Sequence, residues 1–200
     1  MNEIVFKIIF ATLFAIYIVI RGPYDKEYKQ IEKIKTLNSL TDKCLLILMT
    51  IGLLLMPLIW LLTPFLNDFK IEFPDWFRIV GILISIISLF YFRRIHKTLG
   101  TSWSPTLEIT KRHQLIQIGV YKRIRHPMYL QMLIWAIAQC LIISNYIAGF
   151  SGLMVWIIFY FIRVPKEEEM MTDYFGEKYI KYKKQTGSIF PNIKNSNLLT

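Results

Sequence analysis

The chain has 200 residues, of which 54% are hydrophobic and 19% are charged, and its formal net charge is +10. A soluble domain has about 25% charged residues, and here the charges are concentrated in a few loops, so the composition excludes an ordinary soluble domain and indicates a membrane protein. In so apolar a chain, the excess of positive charge suits anionic lipid headgroups better than nucleic acid.

The cysteines and histidines indicate neither a disulfide framework nor a metal site. Cys44 and Cys140 both lie in apolar runs. The three histidines (His96, His113 and His126) are scattered along the chain, and their spacing does not match a metal-ligand pattern. We therefore predict a protein without a bound metal.

Five apolar runs are each predicted to form a transmembrane helix. Their approximate bounds are residues 4–20, 44–66, 77–92, 128–143 and 146–162. A spanning helix needs about 20 residues, with about 17 as the lower limit, so the second run is comfortably long and the others are short. The first run also has the length of a signal peptide, but no small-residue cleavage site follows it, which favours an anchor.

The basic residues of the loops predict the orientation. Six Lys/Arg residues lie in 21–43, eight in 93–127 and seven from Arg163 onward, whereas 67–76 has only Lys70. Five helices place the three basic segments on one side, which the positive-inside rule makes cytoplasmic, with the N-terminus outside.

Prolines and spacing refine this organisation. Pro57 and Pro64 are expected to kink or end the second helix, and the short separation of the last two runs predicts a tight hairpin. After Pro165 an amphipathic helix is expected on the membrane surface, with apolar residues at helical spacing: Met171, Tyr174, Phe175 and Tyr179. The predicted fold is all-α: one membrane domain over residues 1–200, with five transmembrane helices and a cytosolic C-terminal amphipathic helix.

Two segments next to the predicted hairpin differ from ordinary loops. Residues 113–129 lead into the fourth helix and are basic and rich in histidine and tyrosine. Residues 163–182 follow the fifth helix and contain three successive glutamates. The hairpin brings both segments to the cytoplasmic face, where they predict a site.

Each of these residues also has a purely structural interpretation. Arg163 and Glu167 would share one face of a continuous helix, but Pro165 between them predicts a bend between two helices. Arg163 can then simply anchor the fifth helix at the headgroups, with the glutamates at the start of the next helix. His126 before Pro127 can be an interface cap, and Tyr129 alone is more often part of an aromatic belt.

Three blocks in order decide between these interpretations. They are GVYKRIRHPMY (119–129), RVPKEEE (163–169) and YFGEKYIKYKKQTGSIFP (174–191). Together they resemble the isoprenylcysteine carboxyl methyltransferase family and its relatives, the phospholipid methyltransferases. The resemblance covers roughly residues 96–191 and implies the five-helix fold of the small prokaryotic members.

The resemblance also implies a cofactor, S-adenosyl-L-methionine, and the residues that hold it. The implied cofactor contacts are His113, Gln114, Leu115, Ile116, Tyr121, His126, Pro127, Met128, Tyr129 and Glu167. Arg163 matches an arginine that faces the lipid substrate, and Glu168 occupies the neighbouring carboxylate position. Arg163, Glu167 and Glu168 are the candidate catalytic residues. The family has a further cofactor contact near 106–108, where this sequence offers no clear match.

The chemistry of these residue types agrees with that cofactor. Its carboxylate and amine need charged or dipolar partners such as an imidazole and a glutamate, and its adenine needs an apolar slot. The sequence has no glycine-rich Rossmann fingerprint. An acceptor carboxylate is ionised at neutral pH and needs no base, and Arg163 can hold it, whereas an acceptor amine would need Glu167 or Glu168 as a base.

The predicted function is carboxyl methylation of a lipophilic, prenyl-cysteine-like acceptor that enters from the bilayer. Methylation of a phospholipid or another amine is the first alternative. An NADPH-dependent sterol-type reductase is less consistent with so short a chain, and a non-catalytic adaptor leaves the clustered His, Arg and Glu unexplained.

Overall fold

The computed structural model of the chain describes residues 2–36, 40–110 and 114–192. It is a helical bundle with one short two-stranded ribbon. The helices are α1 (Glu3–Lys29), α2 (Leu40–Thr50), α3 (Met56–Leu62), α4 (Asp75–Leu99), α5 (Pro127–Ile143), α6 (Ala148–Phe175) and α7 (Glu177–Gln185). The strands β1 (Lys33–Thr36) and β2 (Glu108–Thr110) pair antiparallel, with Thr36 opposite Glu108.

The helices confirm an all-α integral membrane protein. Within the described residues, four helical segments are long and apolar enough to cross a membrane: Glu3–Lys29, Leu40–Leu62, Asp75–Leu99 and Ala148–Phe175. The remaining apolar helix, α5, has 17 residues and is shorter than these. All five predicted runs are thus helical, and the count of five spans stays a prediction.

Apolar side chains both fill the bundle and cover its outside. Phe10, Trp60 and Trp135 belong to a core cluster between α1, α3, α4 and α5. On the outside, Val19 is 72% exposed and Phe161 is 69% exposed. Such outward-facing apolar side chains suit a lipid environment and would be unfavourable in water.

Two helices extend beyond the predicted bounds. α1 continues past residue 20 to Lys29, with Pro23 inside it. α6 continues through Pro165 to Phe175, so the predicted bend at Pro165 is wrong, and the separate amphipathic helix is α7 alone. A proline removes one backbone donor, but polar contacts on its C-terminal side, described below, hold α6 against α5. The helix ends at Gly176, whose φ of +56° favours glycine.

The second predicted span contains a π-helical turn at Ile51–Leu55. Pro57 has no N–H, and the N–H before it bonds five residues back, so the carbonyl of Gly52 lacks a donor within the helix. That carbonyl accepts instead from Gln139 Nε2 at 3.0 Å and from Ser151 Oγ at 2.9 Å. The proline-induced turn therefore joins this span to α5 and α6.

A buried arginine joins three helices at one end of the bundle. Arg78 is 4% exposed and forms a two-pronged ion pair with Glu3, at 2.7 and 3.0 Å. Its Nε donates to the carbonyl oxygen of Ile142 at 2.8 Å. These bonds fix α1, α4 and α5 relative to one another at the end of the bundle opposite the cavity described below.

The turn between α5 and α6 spans residues 144–147. Ser144 adopts a left-handed conformation with φ 52°. Asn145 Nδ2 donates to the carbonyl oxygen of Leu66 at 2.7 Å, and its Oδ1 accepts from the N–H groups of Ile147 and Ala148 at 3.0 Å each. This short turn makes α5 and α6 antiparallel neighbours, so the start of α5 lies beside the polar end of α6.

Candidate active site

A cavity of about 450 Å³ lies where α4 ends and α5 begins. Small-molecule sites typically measure about 300–1,000 Å³, so the cavity is large enough for a cofactor. The helices contribute an apolar part of the wall, which includes Phe14, Met49, Leu53, Met132 and Trp135. The polar part includes Arg21, Glu108, Arg125, His126, Arg163 and Glu167.

His126 caps the N-terminus of α5 and is 3% exposed. Its Nε2 lies 3.1 Å from Glu168 Oε1. Its Nδ1 lies 3.7 Å from Glu167 Oε1 and has no hydrogen-bond partner among the described residues. Burial lowers the pKa of this imidazole, but the hydrogen bond to Glu168 and the negative charges of Glu167 and Glu168 outweigh that effect and raise it above 6.5. The raised pKa favours the protonated imidazolium, in which both ring nitrogens are donors. Nε2 then donates to Glu168, and the N–H of Nδ1 is available to a ligand.

Glu168 lies behind His126 and is held by three cations. Arg125 approaches Glu168 Oε1 with Nε at 2.9 Å and Nη2 at 2.8 Å, and Lys183 Nζ lies 2.6 Å from Oε2. Burial raises the pKa of this carboxyl, but the hydrogen bonds from His126, Lys183 and Arg125 lower it far below 4.5. Among the described residues, Glu168 is not part of the cavity wall. Glu168 therefore contacts the imidazole of His126 from the side away from the cavity wall.

The same contacts attach α7 to the segment before α5. Arg125 Nη1 donates to the carbonyl oxygens of Lys183 and Thr186 at the end of α7. The N–H of His126 donates to the carbonyl oxygen of Ser188 at 3.0 Å, and Tyr182 OH donates to that of Tyr121 at 2.7 Å. Docking of α7 and placement of the imidazole are therefore coupled.

Glu167 faces the cavity from α6. Its Oε2 accepts a hydrogen bond from Tyr129 OH at 2.6 Å. Tyr129 is 6% exposed, and its carbonyl oxygen accepts from Trp156 Nε1 at 2.9 Å. This pair of bonds connects α5 to α6 and fixes the carboxylate on the wall.

Arg163 also faces the cavity and is 4% exposed. Its Nη2 donates to the carbonyl oxygen of Pro105 at 2.8 Å. Its Nη1 is buried and has no hydrogen-bond partner among the described residues. The guanidinium lies 5.0 Å from the ring of Phe159. Because α6 is continuous, Arg163 and Glu167 share one helix face.

The other predicted cofactor contacts have different outcomes. Gln114, Leu115, Ile116, Tyr121, Met128 and Tyr129 line the cavity. Pro127 begins α5 and, within the described part of the chain, does not line the cavity. His113 lies outside the described residues. Glu167 and Arg163 line the cavity, as stated above.

Several wall residues were missed by the sequence reasoning. Arg21 reaches the cavity because α1 extends past the apolar run, and its guanidinium lies 5.2 Å from the Trp103 ring. Glu108 is 4% exposed and accepts a hydrogen bond from Tyr28 OH, which lies near the end of α1. Glu108 lies in the 106–108 region, where the resemblance places a family cofactor contact for which the sequence offered no clear match. The pairing of β1 with β2 holds this region beside the end of α1.

The arrangement resembles a small-molecule site, not a metal centre. Two buried donor atoms, His126 Nδ1 and Arg163 Nη1, belong to residues of one cavity wall and lack a hydrogen-bond partner among the described residues. In the same part of the chain, no group of three or more His, Cys, Asp or Glu side chains is placed to hold a metal ion. The protein is thus a multi-pass helical membrane protein with an amphipathic ligand cavity at one end.

Comparisons with known proteins identify the family. A sequence model of the isoprenylcysteine carboxyl methyltransferase (ICMT) family matches residues 79–173. A probable protein-S-isoprenylcysteine O-methyltransferase of Oryza sativa subsp. japonica is 31% identical over 129 residues, covering 61% of this chain and 68% of the relative. The human protein-S-isoprenylcysteine O-methyltransferase is 31% identical over 122 residues, covering 60% of this chain and 43% of the relative. The chain belongs to the ICMT family.

The similarity has a limited extent. The match to protein-S-isoprenylcysteine O-methyltransferase B of Arabidopsis thaliana is 28% identical and covers 59% of this chain and 61% of the relative. The chain thus spans between 43% and 68% of the length of these relatives. A solved structure of a eukaryotic intramembrane Ras methyltransferase ICMT has a TM-score of 0.53 at 22% identity, covering 78% of this chain and 54% of that one. That likeness supports the fold.

Proposed function

We propose that this protein transfers a methyl group from S-adenosyl-L-methionine to the carboxylate of a lipophilic, prenyl-cysteine-like acceptor. The observation that carries the proposal is the combination, in a family member, of an apolar cavity wall with two buried donors, on His126 and Arg163, that lack a hydrogen-bond partner among the described residues. Unsatisfied buried donors cost free energy, which a bound anion can recover.

The residues of the cavity fit the cofactor. His126 would bind the cofactor carboxylate through Nδ1, because its Nε2 is occupied by Glu168. Glu167, which already accepts from Tyr129, would bind the ammonium group. Leu115 and Ile116 are apolar wall residues that can hold the adenine. The bound cofactor supplies an electrophilic methyl group on a sulfonium.

Arg163 is proposed to hold the acceptor. Pro105 fixes one side of its guanidinium, and the free side can bind one carboxylate oxygen while the other oxygen accepts the methyl group. A carboxylate is ionised at neutral pH, so its attack requires alignment and no base. A buried guanidinium disfavours an ammonium acceptor in the same place, so the carboxylate is preferred to the amine. Glu168 is assigned the role of orienting His126.

Removing either cofactor ligand should weaken cofactor binding. His126→Ala and Glu167→Ala are each expected to lower the binding free energy of S-adenosylmethionine by about 1.5–3 kcal/mol, the range for a hydrogen bond to a charged group. Isothermal titration calorimetry on purified protein measures this directly. Glu169→Ala is a matched control, since Glu169 is the exposed neighbour in the same run of glutamates. Unchanged affinity in folded His126→Ala and Glu167→Ala would place the cofactor elsewhere.

We also propose that the cavity opens to the cytoplasm and the N-terminus lies outside. The described residues of the basic segments 21–43, 93–127 and 163–184 lie towards the cavity end of the helices, which the positive-inside rule assigns to the cytoplasm. In a background lacking Cys44 and Cys140, Asn67→Cys and Gln185→Cys should react with an impermeant thiol reagent from opposite sides. Both positions are exposed. Labelling of both from one side would contradict five spans.

A further inference from the structure

A buried glutamine on α5 has an unusual hydrogen-bond pattern in the cavity wall. Gln131 is 0% exposed and lines the cavity. Its Nε2 donates to Ser88 Oγ on α4 at 3.0 Å, and Ser88 Oγ in turn donates to the carbonyl oxygen of Gln131 at 3.4 Å. In this pairing the serine hydroxyl accepts from the amide nitrogen and donates to the backbone carbonyl. Oε1 is therefore the polar atom of the amide that lacks a partner among the described residues.

Gln131 Oε1 is buried and has no hydrogen-bond partner among the described residues. Buried polar atoms are normally paired, so such an atom calls for an explanation. Its neighbours along the helix in the cavity wall, Met128 and Met132, have side chains without a hydrogen-bond donor. Gln131 follows His126 by five residues, which places it about 7.5 Å further along the helix axis, away from the charged part of the wall.

We propose that Gln131 Oε1 accepts a hydrogen bond from an N–H or O–H group of a ligand bound in the apolar part of the cavity, and so selects for ligands that carry such a donor. The inference rests on the proposed function, in which the cavity holds a nucleoside cofactor and a lipophilic acceptor. Two sources have the required chemistry: the amino or hydroxyl groups of the cofactor, and an amide or hydroxyl of the acceptor.

The chain contains a matched control for this residue. Gln139 lies eight residues further along α5 and is 1% exposed. Its Nε2 donates to the carbonyl oxygens of Gly52 and Ala148, at 3.0 and 2.9 Å, and its Oε1 is also unpaired among the described residues. Within the described part of the chain, however, it does not line the cavity. Comparing variants of the two glutamines therefore distinguishes a role in helix packing, expected for Gln139, from a role in ligand binding, proposed for Gln131.

The experiment compares Gln131→Met with Gln139→Met, and uses Gln131→Asn as a second variant that keeps the amide but withdraws it. The experiment has two arms. The cofactor arm is calorimetric titration with S-adenosylhomocysteine, the demethylated form of the cofactor, and the acceptor arm is the KM for a prenyl-cysteine analogue. The melting temperature reports on packing. Gln131→Met should weaken one arm by about five- to tenfold and lower the melting temperature less than Gln139→Met does, because only Ser88 Oγ loses a donor. Gln139→Met should lower the melting temperature, because two carbonyls lose a donor, and leave both arms unchanged.

A loss of S-adenosylhomocysteine affinity assigns the donor to the cofactor, whereas a raised KM alone assigns it to the acceptor. No change in either arm for both Gln131 variants overturns the inference, as do equal losses in Gln131→Met and Gln139→Met. Wild-type protein that binds no S-adenosylhomocysteine overturns the proposed function together with this assignment. If the wild type binds S-adenosylhomocysteine and Gln131→Met changes neither that affinity nor the KM, the assignment of Gln131 is overturned and the proposed function is not.

Discussion

Arg163→Lys is expected to reduce methyl transfer to a carboxylate acceptor about 100–1,000-fold, the typical cost of removing a donor that stabilises the transition state. Lysine keeps the charge but loses the planar fork that is held on one side by Pro105 and free on the other. The loss should appear in kcat/KM, while cofactor affinity changes by less than about twofold, because only the second reactant is misaligned.

The measurement is transfer to a prenyl-cysteine analogue and to an ethanolamine lipid, with calorimetry of cofactor binding alongside. Arg123→Lys is the control, since Arg123 is exposed and, within the described residues, lies off the cavity wall. Full activity of Arg163→Lys would remove Arg163 from the acceptor site. If the ethanolamine lipid is methylated in preference to the prenyl-cysteine analogue, and this activity depends on Glu167, then the acceptor is an amine and not a carboxylate.

Glu168→Gln is expected to destabilise the protein by about 3 kcal/mol, at the low end for breaking a buried ion pair because Lys183 is half exposed. Arg125 and Lys183 lose their counter-ion, and His126 loses one of the two anions that raise its pKa. Because Glu168 orients the imidazole, cofactor affinity at neutral pH should fall as well. Glu169→Gln is the control, since Glu169 is exposed. Denaturant or thermal unfolding in detergent measures the stability change.

The pH dependence gives this prediction a separate test. In the wild type, His126 stabilises the fold fully below its unfolded pKa of 6.5, and that contribution is lost as pH rises through the raised folded pKa. Glu168 contributes above its unfolded pKa of 4.5, and its contribution is lost as pH falls toward the depressed folded pKa. The contribution of the His126–Glu168 pair to the free energy of unfolding should therefore be largest between pH 4.5 and 6.5. S-adenosylhomocysteine affinity should decline as pH rises and His126 deprotonates, and in Glu168→Gln the decline should begin at lower pH. An unshifted decline would show that Glu168 does not set the protonation of His126.

Local signals in the sequence predicted the centre of the site. Pro127 begins α5 directly after His126, so the histidine is placed at a helix start by a property of the proline ring. The short turn between α5 and α6 then brings His126 beside Glu167 and Glu168. The local pattern alone could not predict which of these two glutamates faces the cavity, because neighbouring helical residues point about 100° apart and the rotation of α6 is set by its packing. The assignment of Glu167 came from the resemblance to the family.

The remaining walls depend on contacts that are distant in sequence. Glu108 meets Tyr28 only because two short strands pair across more than seventy residues. Strands of three or four residues leave little periodicity to detect. Gln131 was missed for a different reason: a single glutamine in an apolar helix resembles a packing residue, and Gln139 on the same helix has that role. Pro165 was assigned to a bend because propensity favours one, and tertiary contacts overrode it.

Methyl transfer with a chemically identified product tests the account most directly. Purified protein in proteoliposomes is supplied with S-adenosylmethionine labelled on the methyl group, together with a prenyl-cysteine analogue and an ethanolamine lipid. The account predicts that the label enters the prenyl-cysteine analogue and is released as methanol by mild base, because a methyl ester is base-labile. Label that is stable to base and found on the ethanolamine lipid would contradict it, as would the absence of transfer by protein that binds the cofactor.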